Sequence, residues 1–328
     1  MKLPRFTKWF AALPALNQPQ RLQVQLWIHK ALRPAAGLQQ VLALIEQLRS
    51  VDRRCPHCQC ERWHRHGCAN ELQRYRCRAC RRTFNDLTGT PLARLRLRGK
   101  WLAYLEAVRA SRPVRAAADT VKVHRNTAFR WRHRFLDRVK EARPAALQGI
   151  VEADEMFILE SQKGSRNLDR PARKRGGTAN RRGMSRELDC ILVARDRSRQ
   201  TIDAVTGRGA VSKVQLERHL KPFLDRDVLL VTDANATYRA FARAHGIAHQ
   251  AVNASAGERH RLGPHGAIHI QNVNAYHGRL REWLAPFHGV ASRYLPNYLG
   301  WRRMLDGGDI TSVDQLFRLA IGPIHSKQ

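Results

Sequence analysis

Two Cys-x-x-Cys pairs stand about twenty residues apart, Cys55 and Cys58 in CPHC and Cys77 and Cys80 in CRAC. Four thiolates in two tight pairs match the tetrahedral demand of a structural Zn²⁺, and such a site leaves no open coordination position for chemistry. Cys60, Cys68, His57, His64 and His66 lie close enough in sequence to stand in for one of the four. A second set of residues is acidic. In GIVEADEMFIL (149–159), Glu152, Asp154 and Glu155 interrupt an otherwise apolar strand, and strand alternation puts Glu152 and Asp154 on one face and Glu155 on the other. Carboxylates on a buried strand cost free energy unless they are paired or bound to a cation, so these are metal-site candidates. Asp233 ends the apolar run DVLLVTDANATY (227–238), at the strand end where α/β folds place their sites. Such an Asp is also a natural helix N-cap when taken alone. The segment QNVNAYHGRLREWLAPF, over roughly 272–288, reads as a helix on which Asn274, His277 and Arg281 share a face.

These residues need elements to hold them. Residues 1–50 read as two amphipathic helices, RLQVQLWIHKAL and LQQVLALIEQL, separated by Pro34 and Gly37, with a cap or oligomer contact as their role. RYRCRACRRTF reads as a strand leaving the second knuckle, as in a zinc ribbon. Val114–Val121 reads as a short Ala-rich helix, Lys122–His124 as a tight connection, and Arg125–Phe135 as a basic helix, which is helix-turn-helix spacing. Arg125, Asn126, Thr127, Arg130, Arg132 and Arg134 are its candidate DNA contacts, and Phe129 and Trp131 are assigned to packing. Between 163 and 186 the chain is rich in Gly, Arg and Lys and nearly devoid of apolar residues. It reads as a flexible basic loop suited to phosphates, with Lys174 and Arg175 as contacts. Strands follow at 188–196, 201–207 and 227–233, and a helix at 211–224.

The 328 residues carry a formal net charge of +32, and the charge is uneven. Residues 1–150 hold 31 Lys+Arg against 9 Asp+Glu, while residues 151–328 hold 28 against 18. The front half is therefore the electrostatic footprint of a polyanion binder. Seven cysteines, four of them in metal spacing, favour a reducing compartment over a disulfide framework. No apolar run approaches the roughly 18 residues of a membrane span, and no signal peptide is read in the basic, Pro- and Gln-interrupted start.

The acid in VEADE, the strand-end acid in VTDAN and a helix position followed seven residues later by a basic residue together resemble the DDE transposases. With the ribbon ending RYRCRACRRTFNDLTGTPL, the basic RKRGG insertion and the helix NVNAYHGRLREWL, the chain resembles one group over about residues 50–305. This group is the zinc-ribbon transposases of small bacterial insertion sequences, the IS family numbered fifteen-ninety-five. The resemblance implies an α/β fold with an RNase H-like catalytic core, preceded by a zinc ribbon and a helix-turn-helix. The segments expected are a helical 1–50, a ribbon 51–92, a helix-turn-helix domain 93–145, a catalytic domain 146–305 and a C-terminal tail 306–328. It further implies Asp154 and Asp233 as the first two catalytic ligands, Asn274 at the third position where the general pattern has Glu, and Arg281 as the basic partner. These would hold two Mg²⁺ ions, about 3.5–4 Å apart in such sites, with Mn²⁺ as a substitute, while Cys55, Cys58, Cys77 and Cys80 hold Zn²⁺. Glu282 is turned about 100° from Arg281 and is a poor substitute ligand. Expected partners are the element's terminal inverted repeats, target DNA and a second copy of the chain or more. The expected location is the bacterial cytoplasm, on the nucleoid. The rival readings are a non-enzymatic DNA-binding regulator with a degenerate core, supported by Asn274, and another RNase H-like nuclease or resolvase. An RNA-binding zinc protein is disfavoured by the helix-turn-helix and the strand acids.

Overall fold

The computed structural model describes residues 3–174, 176–253, 260–263 and 266–322. The described residues form two compact units, one of residues 3–107 with 120–122, the other of the described residues among 108–119 and 123–322.

In the first unit, helix α1 (Leu3–Ala12) precedes α2 (Gln18–Arg49). Pro34 and Gly37 do not divide α2 as the sequence suggested, because its backbone stays helical through both. Gly37 serves packing: a Cβ there would meet the Gly99 carbonyl oxygen at 2.5 Å. Strands β1 (Trp63–Ala69), β2 (Leu72–Cys77) and β3 (Thr83–Phe84) form an antiparallel sheet in that order. The longer strand β2 thus leads into the second knuckle, and only the short β3 leaves it. Arg53 ties α2 to this sheet, donating to Asp86 and Glu46 at 2.8 Å each with its guanidinium 4.4 Å from the Tyr75 ring centre. Arg98 donates to the Asn70 carbonyl in the β1–β2 turn at 2.7 Å.

Helices α3 (Trp101–Arg109), α4 (Val114–Val121) and α5 (Arg125–Val139) follow, so the expected helix pair and its tight connection are both present. Lys122 in the connection takes a left-handed φ of 53°, and His124 caps α5 by accepting from the Asn126 amide.

The second unit is built on strands β4 (Ile150–Leu159), β5 (Leu188–Asp196), β6 (Thr201–Arg208), β7 (Leu229–Asp233) and β8 (Ala248–Val252), ordered β6-β5-β4-β7-β8. The first three are antiparallel neighbours, and β4, β7 and β8 run parallel. In strand numbering within the sheet this is 3-2-1-4-5, the order of an RNase H-like core. Helices α6 (Lys213–His219) and α7 (Ala236–His245) cover one face, where Leu216, Tyr238 and Phe241 pack on Val151, Ala153 and Leu230. A short hairpin, β9 (Arg261–Gly263) and β10 (Gly266–Ile268), leads to α8 (Gln271–Leu284) and α9 (Leu295–Asp306) on the other face. There Val273, Tyr276, Leu280 and Leu299 pack on Met156, Ile191 and Val193.

The expected C-terminal tail contains a helix, α10 (Val313–Ile321), which buries Leu316, Phe317 and Ala320 and packs on α5. Helix α5 also packs on α9, so the expected boundary at 145 is not a boundary of packing. The approach is close: a Cβ on Gly300 would land on the Lys140 backbone. Arg303 of α9 donates to the carbonyls of Lys140 and Ala142 at 3.0 and 2.9 Å and forms a buried ion pair with Asp203 of β6. Asp203 also accepts from the Tyr276 hydroxyl at 3.1 Å.

Candidate active site

The parallel register of β4 and β7 pairs Ala153 with Thr232, and one step further along lie Asp154 and Asp233. Two strands about 4.8 Å apart thus bring the two sequence-predicted acids side by side. Burial pushes the Asp154 carboxyl up to about 6, against a hydrogen bond from the Glu155 amide; Asp233 raises it further and Arg281 opposes. Asp233 accepts from the Asn235 amide at 3.1 Å, and Asn235 in turn caps α7. The N-cap role that an Asp here could fill alone thus belongs to Asn235.

Helix α8 supplies the rest. His277 is buried, with Nδ1 3.7 Å from the Asp154 carboxylate and Nε2 without a hydrogen-bond partner among the described residues. Burial, helped by Arg281, holds it at about 4, so it is neutral near pH 7. Asn274 is exposed one turn before His277, and Arg281 is exposed one turn after it. Helical spacing puts the three on one face, and His277, 3.7 Å from the Asp154 carboxylate, is the member of that face that meets the first acid.

Glu155 points to the opposite face, as alternation requires. Burial pushes it up to about 7, opposed by the nearby Tyr238 hydroxyl and assisted by Asp154 and Asp233. Glu152 is not a metal-site residue of the kind the sequence suggested. It is fully buried and engaged with α8: Oε2 accepts from the amides of Asn272 and Val273 at 2.7 and 3.0 Å. Its Oε1 accepts from Asn272 Nδ2 at 2.9 Å and pairs with Arg197. Sequence reasoning missed this role because the partner is 120 positions away.

The two acids offer hard oxygen donors. These suit Mg²⁺ or Mn²⁺, and a cation there would offset the charge that burial makes costly. The four predicted cysteines converge as a separate centre. Cys55 and Cys80 Sγ are 3.6 Å apart, Cys58 and Cys77 Sγ 3.5 Å, and all four sulfurs lie within 4.8 Å of one another. A tetrahedral site with Zn–S of about 2.3 Å needs an S···S edge of about 3.8 Å, so the cluster can hold zinc. Burial pushes the Cys55 thiol up to about 12, and the amides of His57 and Cys58 pull it back. Cys60 instead accepts from the Arg62 amide at 3.3 Å, outside the cluster.

On α5, Arg125, Asn126, Arg130 and Arg134 are exposed and Thr127 is half-buried. Arg132 is a correction to the sequence reading. It is fully buried, donates to the Arg112 carbonyl and lies 5.0 Å from the Trp301 ring centre, so it is a packing residue. Trp131 is in the core as expected, whereas Phe129 is 40% exposed at the edge of His133 and Tyr294. The insertion is better anchored than its composition suggested. Glu160, buried at its base, binds Arg170 at 2.8 Å, Arg173 at 3.4 Å and Arg208 at 3.2 Å. Lys174 is exposed; Arg175 lies outside the described residues. No helix among the described residues is long and apolar enough to cross a membrane.

Residues 146–302 match the ISXO2-like transposase domain. The chain is 30% identical over 249 residues to an uncharacterised protein in transposable element ISH50 of Halobacterium salinarum, across 75% of this chain and 82% of that one. It also resembles the pre-cleavage Mos1 transpososome (TM-score 0.21, 17% identity, 63% of this chain and 78% of that one). The Mos1 strand transfer complex is similar to the same degree (TM-score 0.21, 16% identity, 62% and 74%). The fold assignment rests on the strand order and not on these two likenesses. From its match to the relative and to the domain, the chain belongs to the IS1595 family of transposases.

Proposed function

We propose that this protein binds the terminal inverted repeats of its own insertion sequence and catalyses Mg²⁺-dependent cleavage and transfer of their strands. The observation that supports the reading is the adjacency of Asp154 and Asp233 on β4 and β7, with His277 of α8 against Asp154.

Asp154 and Asp233 would hold the metal ions, with the Asn274 amide oxygen completing the set. The ions, when bound, neutralise charge on the reacting phosphate and favour the attacking oxygen. Asn in place of a carboxylate leaves two protein charges to hold them. Arg281, exposed beside Asp154, is placed to bind a phosphate of the scissile strand. His277, buried and neutral, packs against the Asp154 carboxylate from α8.

The reaction is phosphodiester hydrolysis. Water adds to phosphorus, the P–O3′ bond breaks, and the element end is left with a 3′-OH. In strand transfer that hydroxyl attacks a target phosphodiester in the same way, so no protein–DNA bond forms. The α4–α5 pair would act as a helix-turn-helix, with Arg125, Asn126, Thr127, Arg130 and Arg134 facing the end sequence. Lys174 and Arg175 of the insertion would contact phosphates, and the zinc ribbon would also read the terminal repeats. Two ends call for two or more copies of the chain. The test is a gel-shift and nicking assay on a duplex carrying the element end. Asp154→Ala and Asp233→Ala should bind it as wild type does and fail to nick it.

A further inference from the structure

Helix α8 begins without a cap of its own, since Ile270, the residue before its first turn, offers no side-chain acceptor. The Gln271 amide donates to His269 Nδ1 at 3.2 Å, and the next two amides point at Glu152. A carboxylate with no exposed surface is expensive, and it persists only when each oxygen is well bonded. Glu152 meets that condition: Oε2 takes the Asn272 and Val273 amides, and Oε1 takes Asn272 Nδ2 and Arg197. His269 Nδ1 lies 3.2 Å from Oε1. Arg197 also donates to the Ala267 carbonyl at 2.8 Å, fixing the hairpin that leads into the helix. The negative charge at a helix N-terminus is favourable in its own right.

The placement matters because of what lies on either side. Glu152 is two residues before Asp154 on the same face of β4, and the amides it captures are one and two residues before Asn274. Beside the apolar packing of Val273 and Tyr276 on Met156, this buried side chain therefore ties the strand of the first acid to the start of the helix that carries the third position. We infer that Glu152 is a positioning residue for Asn274, acting through the α8 N-terminus to aim the amide oxygen at the cation held by Asp154. This rests on the metal-site reading above. It also accounts for how a weaker neutral ligand serves at the third position: its geometry is set in advance.

The test measures Mn²⁺ affinity of the full zinc-loaded chain by calorimetry, with Asp154→Ala as the control that identifies the ion. Glu152→Gln should weaken Mn²⁺ binding by about 10- to 100-fold, the usual cost of losing an outer-shell partner. Asn274→Ala should do likewise, and the double variant should be no weaker than the worse single, because both remove the same ligand. Multiplying losses, or an unchanged affinity in Glu152→Gln, would overturn the inference. A role confined to stability would lower Tm and leave the affinity of the folded protein alone. If Glu152→Gln does not fold, Asn272→Ala removes one clamp bond at a half-buried position and should still weaken Mn²⁺ binding, whereas wild-type affinity there counts against the clamp. Nicking is assayed in parallel. Wild-type protein that binds Mn²⁺ through Asp154 and never nicks would refute the transposase reaction and leave the clamp standing.

Discussion

His277 and Asp154 face each other at 3.7 Å inside the fold, one from α8 and one from the central strand β4. The imidazole is held neutral by burial and by Arg281, so it supports the carboxylate without pairing with it as a cation. Replacing it with Phe keeps a flat aromatic ring and removes the polar edge. His277→Phe should lower the nicking rate by about 10- to 100-fold while end binding in a gel shift stays within error of wild type. At subsaturating metal the rate should rise as pH passes through about 6, where Asp154 loses its proton, and not near 4, where His277 titrates.

Asp154 also has a cost. Its folded-state value of about 6 lies above the ordinary 3.8, so the folded protein holds this proton more tightly than the unfolded chain does. Without divalent metal, its charge therefore destabilises the fold above pH 6, and the penalty is relieved as pH falls through 6 toward 3.8. At about 1.4 kcal/mol per pH unit, the penalty is bounded by roughly 3 kcal/mol. Asp154→Asn, though inactive, should melt at a higher temperature than wild type at pH 8 in buffer free of Mg²⁺ and Mn²⁺. The gain should vanish by pH 4. Equal melting curves at pH 8 would refute it.

The arginines of α5 divide by what they touch. Arg130 and Arg134 are exposed, and their removal should weaken end binding. It should also reduce the slope of log affinity against log salt by about one for each phosphate that is no longer neutralised. Arg132 lies under Trp301, and Arg132→Ala should instead cost about 2–4 kcal/mol of stability, measured by denaturant unfolding. The reverse pattern would show that α5 is turned differently on α9.

The cysteine cluster predicts one zinc per chain by metal analysis. Cys58→Ser or Cys77→Ser should lose it, while Cys60→Ser should keep it, because Cys60 bonds the Arg62 amide outside the cluster. Loss of zinc should collapse the β1–β3 sheet, whose core is Cys55, Tyr75, Cys77 and Phe84. Full zinc occupancy in Cys77→Ser would contradict this assignment.

Much of this was legible in the chain itself because the signals are local. Alternation along β4 separates Asp154 from Glu155, and Cys-x-x-Cys spacing brings each thiolate pair together. Helical spacing also encodes the burial of Arg132. Ala128, Trp131, Phe135, Leu136 and Val139 mark one stripe, and Arg132 falls within it. The roles of Glu152, Glu160 and Gly300 were not legible. Each depends on a partner that only the folded chain brings near, such as the α8 amides for Glu152 and the Lys140 backbone for Gly300. Basic composition alone read 163–186 as unanchored, and the acid that anchors it lies just outside that window.

The most direct test of the central claim is cleavage of a labelled duplex carrying the element end, by purified protein with Mg²⁺ and with EDTA. Asp154, Asp233 and Asn274 acting together predict Mg²⁺-dependent nicking at the repeat boundary, absent in EDTA and in Asp154→Ala. Tight, specific binding without cleavage in Mg²⁺ or Mn²⁺, or cleavage that survives Asp154→Ala, would contradict it.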